Sequence, residues 1–221
     1  PQEALDQSLK RLGLDYVDMY LMHWPIPMRP DSVEDGNLLC VPEVNGETDV
    51  DTNWDFVKTW ELMQELTRTK KVRTVGVSNF SVRNLEELLS SPGTRLVPAV
   101  NQVELHPLLP QDELLKYCEG KGIYLEAYSP LGGSDAPVLS NKIIVEVAEK
   151  NKIDPGQVVV SWAVQKGVVT LPKSVTPKRI VSNLKTIKLS DEDFDRINNI
   201  AKVEGQKRTN FPKWGNFPLF E

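Results

Sequence analysis

The chain has 221 residues, a mass of 24.9 kDa and a net charge of -5, from 26 Lys and Arg against 31 Asp and Glu, with a pI near 5.3. That length exceeds one ordinary domain and falls in the lower range of an α/β barrel. A composition of 40% hydrophobic and 26% charged residues excludes a disordered tail or a collagen-like repeat. No apolar run approaches the ~18 residues of a membrane span, and no signal-peptide pattern opens the chain. The acidic balance argues against general nucleic-acid binding. Two cysteines, Cys40 and Cys118, make neither a disulfide framework nor a metal knuckle. The expectation is a soluble, cytoplasmic protein with reduced thiols.

A helical pattern starts at once, with Leu5, Leu9 and Leu12 on one face and Gly13 as its C-terminal stop. No capping residue precedes Pro1, which reads as a truncated start. Residues 15–23 are β-prone and mostly apolar, as a strand buried on both faces is. Residues 26–51 read as a long polar loop, functional or mobile. Thr52 and Asp55 fit a capping box that opens a helix with Phe56, Val57, Trp60 and Met63 on its buried stripe. Then come a strand at 72–77, a turn at Ser78-Asn79-Phe80, and a helix with Val82, Leu85, Leu88 and Leu89. A strand at 97–103 precedes a helix marked by Leu114, Leu115 and Cys118, and residues 123–128 form the next strand. Helical patterns follow at 143–148 and after Asp154-Pro155, a cap with proline at the first helical position. Residues 168–171 are the last strand. Thr176-Pro177 caps a helix carrying Ile180, Val181 and Leu184, and Ser190 with Asp193 caps another carrying Phe194, Ile197 and Ile200.

Five strands alternating with helices imply a parallel sheet with helical crossovers, either doubly wound or a (β/α)8 barrel. No G-x-G-x-x-G follows the first strand, and there is no G-x-x-x-x-G-K or H-E-x-x-H string, which weakens the Rossmann, phosphate-loop and zinc-hydrolase readings. In a barrel, chemistry is built at the C-terminal ends of strands. Those ends carry His23-Trp24, Ser78-Asn79, Asn101-Gln102 with Glu104, Tyr128-Ser129 and Lys173-Ser174. Singly, each has a plain structural use: a bonded histidine, a turn cap, a backbone partner or a packed rim ring. Five in succession point to a site. Around Lys173, Ser174, Thr176 and Arg179, cations gather at a helix start, which suits a phosphate; a solvated basic patch is the alternative.

Leu21-Met22-His23-Trp24-Pro25, Gly76-Val77-Ser78-Asn79-Phe80, Asn101-Gln102-Val103-Glu104-Leu105-His106-Pro107, Ala127-Tyr128-Ser129-Pro130-Leu131-Gly132 and Leu171-Pro172-Lys173-Ser174 together resemble the aldo-keto reductases. They stand in the family's order over essentially the whole chain. The style is closest to the fungal and plant glycerol dehydrogenase and xylose reductase group. The resemblance implies a (β/α)8 TIM barrel, with about five of its eight strands in this sequence, that uses NADPH and no metal. It implies that Ser78, Asn79 and Gln102 hold the nicotinamide carboxamide and that Tyr128 stacks on the nicotinamide ring. Ser129 and Leu131 would line the pyrophosphate path. Lys173, Ser174, Thr176 and Arg179 would grip the 2′-phosphate, with Asn183 near adenine; Ser182 replaces a glutamate that many members place on adenine.

The family reduces aldehydes and ketones, here small sugars and glyceraldehyde-type substrates, by hydride transfer. A tyrosine acid is aided by lysine, aspartate and histidine. His23 matches that histidine. The family's G-F-R-H-x-D segment, acid tyrosine and lysine lie upstream of the helix matching residues 1–12, so this chain is expected to lack the N-terminal third and to be inactive alone. Trp24 and Trp214 would bound the substrate, Trp214 within an aromatic C-terminal tail at 204–221 that either sets preference or only covers apolar surface. The chain reads as one domain, 1–221. Monomer and dimer remain open, and open sheet edges would need a cover. No nucleic acid or membrane partner is expected. The rival function is a catalytically weak NADP(H)-binding interaction protein on the same scaffold.

Overall fold

The structure is a computed structural model that describes residues 1–29, 31, 40–133, 136–212 and 220. Chain contacts divide it into two compact units. The first comprises Pro1–Asn101, Gly120–Ile123 and the described part of Pro212–Glu221; the second comprises Gln102–Glu119 and Tyr124–Phe211. Among the described residues no helix is long and apolar enough to cross a membrane.

In the first unit, α1 (Gln2–Leu12) buries Leu5 and Leu9 and stops at Gly13, whose left-handed φ of 66° ends the helix. Leu12, expected on the same face, is 62% exposed. The next strand, β1 (Val17–Met22), is not buried on both faces: Met22 is buried, whereas Asp18 is exposed. The reason is a polar cross-strand cluster. Arg73 pairs with Asp18 and lies 4.5 Å over the Tyr16 ring, so one side of the strand faces water.

The segment expected as plain loop contains a hairpin, β2 (Glu43–Val44) and β3 (Glu47–Thr48), paired antiparallel. Asn45 and Gly46, at φ 55° and 79°, make its turn. A two-residue turn with both residues at positive φ matches the right-handed twist of the strands it joins. Helix α2 (Phe56–Glu65) begins at Asp55 rather than Thr52, and the Asp55 carboxylate accepts from Lys58 N at 2.8 Å. Asp51 holds Asn53 N at 3.0 Å in a turn of its own, which delays the helix.

β4 (Val72–Ser78) runs parallel to β1, with Met22 opposite Val77. Gly76 is required there: a Cβ would stand 2.8 Å from the Leu21 side chain and 2.9 Å from Val100. α3 (Val82–Ser90) opens on a reciprocal Ser81–Asn84 cap. β5 (Val100–Glu104) starts later than residue 97. The buried Gln64 side chain accepts from Arg95 N at 2.6 Å and Leu96 N at 2.7 Å and donates to Gly93 O at 3.1 Å, so it binds that stretch as loop.

In the second unit, the last residues of β5 lead to α4 (Asp112–Lys121) and β6 (Tyr124–Tyr128). β6 pairs parallel with β7, and Ala127 faces Thr170. β7 is only Val169–Thr170, shorter than the expected 168–171. Leu171 N still reaches Ala127 O at 3.1 Å, but Pro172 has no N–H and the ladder ends. α5 (Lys142–Asn151) is capped by Asn141. α6 (Pro155–Gln165) begins with proline after Asp154, and six successive residues, Val158 to Ala163, are buried, as in a helix enclosed all round. α7 (Pro177–Ser182) buries nothing: Ile180, Val181 and Leu184 are exposed, and Thr176 makes no side-chain cap. Ser190 caps α8 (Asp191–Asn198), and Asn199 separates it from α9 (Ile200–Glu204), where one helix was expected.

Candidate active site

The end of β1 delivers His23 and Trp24 to a pocket of about 580 Å³ in the first unit, walled also by Tyr20, Ile26, Met28, Trp54 and Phe56. His23 keeps contact with solvent, yet the protein around it removes part of its hydration, and this lowers its pKa from the usual 6.5. At pH 7 the ring is therefore neutral, with one nitrogen donating and the other accepting. The His23 and Trp24 rings lie 6.0 Å apart at 48°, and Phe220 meets Trp24 edge-on at 5.6 Å. Trp214 lies outside the described residues.

Ser78 and Asn79, directly after β4, are each 3% exposed. Asn79 takes a left-handed φ of 63°, and its Nδ2 donates to the His23 carbonyl at 2.9 Å and to Ser78 Oγ at 3.2 Å. Asn101 pins the same turn through both faces of Phe80: its Oδ1 accepts from Phe80 N at 3.3 Å and its Nδ2 donates to Phe80 O at 2.9 Å. Asn79 thus fixes the backbone under His23, a positioning link that strand-end reading does not reveal. Neither Ser78 nor Asn79 lines the His23 pocket.

In the second unit, Gln102 Nε2 donates to Glu126 at 2.8 Å. Burial pushes the Tyr128 phenol up, the Glu104 carboxylate adds to this and Arg208 offsets it, leaving a pKa of about 12, so Tyr128 is a neutral ring at pH 7. Ser129 follows β6 at φ 47° and accepts from Asn210 Nδ2 at 3.2 Å. The remaining expected cofactor residues come together around two cavities. One of about 820 Å³ is lined by Ser129, Leu131, Lys173 and Arg179 among others, and one of about 500 Å³ by Leu131, Lys173, Ser174, Thr176, Lys178, Arg179 and Asn183. Shared walls at Leu131, Leu139, Lys173 and Arg179 make them one groove. Gln102 and Tyr128 line neither cavity.

Two features of the smaller cavity suit a purine nucleotide. Asn183 is 9% exposed, and its Nδ2 is buried with no partner among the described residues, a donor left for something else. Lys173, Lys178 and Arg179 supply positive charge for an anion.

Glu104 and His106 form a network whose partners lie far along the chain. Both are fully buried, and His106 Nε2 donates to Glu104 at 3.0 Å. Burial alone pushes the Glu104 carboxyl up, but the bonds from His106, Thr209 and Asn210 outweigh it and hold the pKa at about 2. A carboxylate closing a buried strand, with histidine two residues on, is the sequence signal for it. Its partners at 209–210 leave no such mark.

A parallel α/β chain with strand-end polar groups and a basic groove is a nucleotide-binding enzyme scaffold. Residues 2–202 match the Aldo/keto reductase family, and the chain belongs to that family. It is 56% identical to "Aldehyde reductase YPR1" and 58% identical to "Glycerol 2-dehydrogenase (NADP(+))", both of Saccharomyces cerevisiae. Each match covers 100% of this chain and 72% of the relative. A solved aldose reductase from Schistosoma japonicum superposes with a TM-score of 0.83 at 32% identity, covering 95% of this chain and 65% of that one. The fold class is accordingly the α/β one of the family's (β/α)8 barrel.

Proposed function

We propose that the chain belongs to an NADPH-dependent reductase of aldehydes and ketones, acting on small sugars and glyceraldehyde-type carbonyls in the cytoplasm. The observation that carries this reading is the groove of the second unit, where three cations and the Asn183 Nδ2, which has no partner among the described residues, line a cavity of about 500 Å³. The names of the two yeast relatives support it. When bound, NADPH supplies the hydride. Lys173, Ser174, Thr176 and Arg179 hold the 2′-phosphate, and Asn183 donates to adenine. Ser129 and Leu131 border the diphosphate. Ser78, Asn79 and Gln102 serve the carboxamide, and Tyr128 offers its neutral ring for stacking. His23, neutral at pH 7, donates its N–H to the carbonyl oxygen and so orients and polarises it. Trp24 walls the substrate side, and Trp214 is assigned to the same role.

Of the family's proton-transfer groups the chain carries His23, so the 221 residues by themselves are expected to bind NADPH without measurable turnover. This also favours a second reading, an NADP(H)-binding interaction protein with weak catalysis. Fluorescence titration with NADPH beside an assay of NADPH oxidation by glyceraldehyde, run on the protein that carries the family's acid tyrosine and lysine as well as on the 221 residues, separates the two. Binding together with steady turnover supports the reductase alone; absence of binding rejects both.

A further inference from the structure

Residues 207–210 cross the second unit as a strap fixed along its length. Lys207 N donates to Leu108 O at 2.9 Å. Glu104 then accepts from Thr209 N at 2.6 Å, Thr209 Oγ1 at 2.7 Å and Asn210 N at 3.0 Å, and lies 3.7 Å from the Arg208 guanidinium. On the other side, Asn210 Nδ2 reaches Ser129 Oγ at 3.2 Å. Thr209 packs so close to Gly133 that a Cβ there would stand 2.8 Å from Thr209 Oγ1. Arg208, Thr209 and Asn210 thereby form part of the wall of the 820 Å³ cavity. Arg208 lines that cavity but not the 500 Å³ one, whose cations are Lys173, Lys178 and Arg179. Lys173 and Arg179 line both cavities, so Arg208 is the cation found only in the larger one and Lys178 the one found only in the smaller. A 2′-phosphorylated dinucleotide has two separated anions, its 2′-phosphate and its linking diphosphate.

We propose that Arg208 is the charge that faces the linking diphosphate, and that the buried Glu104 carboxylate is a positioning residue that holds the strap so that it does. This rests on the reading of the groove as an NADP(H) site. Arg208 carries a permanent charge, and the neutral donors of Thr209, Asn210 and His106 occupy the Glu104 oxygens at hydrogen-bond distance while Arg208 stays at 3.7 Å. Glu104 thus anchors the strap chiefly through backbone and hydroxyl bonds, and the same strap carries Arg208 in the lining of the cavity.

Calorimetric titration of the 221-residue protein with NADPH and with adenosine 2′-monophosphate, which lacks the diphosphate, tests this. Arg208→Met is expected to weaken NADPH at least tenfold and the monophosphate less than twofold, with Arg208→Lys recovering most of the loss. Glu104→Gln should weaken NADPH in the same selective way and speed its dissociation. The double variant should be no worse than Arg208→Met alone, because both changes act through one charge. Unchanged NADPH affinity in Arg208→Met overturns the proposal, as does equal weakening of both ligands or simple addition of the two effects. A wild-type protein that binds neither ligand overturns the nucleotide reading itself, and this inference with it.

Discussion

Around His23 the first unit collects Trp24, Ile26, Met28, Trp54 and Phe56, whereas the groove of the second unit is rimmed by Lys173, Lys178 and Arg179. In the first, a polar ring is surrounded by apolar and aromatic walls, and its pKa falls. In the second, the cations stay exposed to water, and the unit's buried polar groups are either saturated, as Glu104 is, or, among the described residues, lack a partner at one atom, as Asn183 does at Nδ2. The difference teaches which ligand each suits. A small neutral carbonyl tolerates dehydrated walls, and a polyanion needs cations that pay little desolvation.

The widest test of the comparison is of the cores under the two sites. Trp60 and Trp162 are both 0% exposed. Trp60→Ala and Trp162→Ala should each cost about 3–5 kcal/mol by cavity formation. Scanning calorimetry reads whether each change lowers one transition or a shared one; a loss below 1 kcal/mol contradicts the packing described. Next is acid. The Glu104 pKa is lowered to about 2, so its stabilisation is present above the ordinary value of 4.5 and is lost as pH falls toward 2. It amounts to about 3 kcal/mol. Wild type should therefore lose stability across that window, and Glu104→Gln, which has no carboxylate to protonate, should show a flatter pH profile in urea unfolding.

Smaller, and confined to the groove, is Arg179→Ala. A charge-assisted contact is worth about 1.5–3 kcal/mol, which predicts a 10- to 100-fold weaker NADPH complex and an NADH complex changed less than twofold. Equal loss for both cofactors removes the phosphate assignment. The smallest effect belongs to the first unit: His23 should titrate by NMR below 6.5, and His23→Ala should leave NADPH affinity within twofold of wild type. A midpoint above 6.5 would mean that a carboxylate, rather than dehydration, governs the ring.

Local signals carried most of the fold. Gly13, the Asp154-Pro155 start and the Ser190 cap act within a few residues of themselves, and the structure places each as the pattern implies. The misreadings also have local causes. Asn45-Gly46 is a strong hairpin turn, but its strands are two residues each and too short to show alternation. Pro172 shortens β7, and the Asp51 turn moves a helix start by three residues. For the groove, Lys173, Ser174, Thr176 and Arg179 read as one cluster because one short stretch of chain carries them, whereas Asn183 enters only with the family resemblance; the structure puts all five on one cavity. The strap was not, because nothing in the sequence near Glu104 refers to residues 209 and 210.

That separation has a consequence for how the groove comes into being. The bonds from Thr209 and Asn210 to Glu104 span 105 and 106 residues. Closing so long a loop is entropically slow, and it cannot begin until those residues have left the ribosome. From the synthesis of Glu104 to that of residues 209 and 210 the carboxylate has His106 beside it but not its donors on the strap, so that side of the larger cavity is set late. A nascent chain therefore lacks that wall until residues 209 and 210 have emerged and reached Glu104.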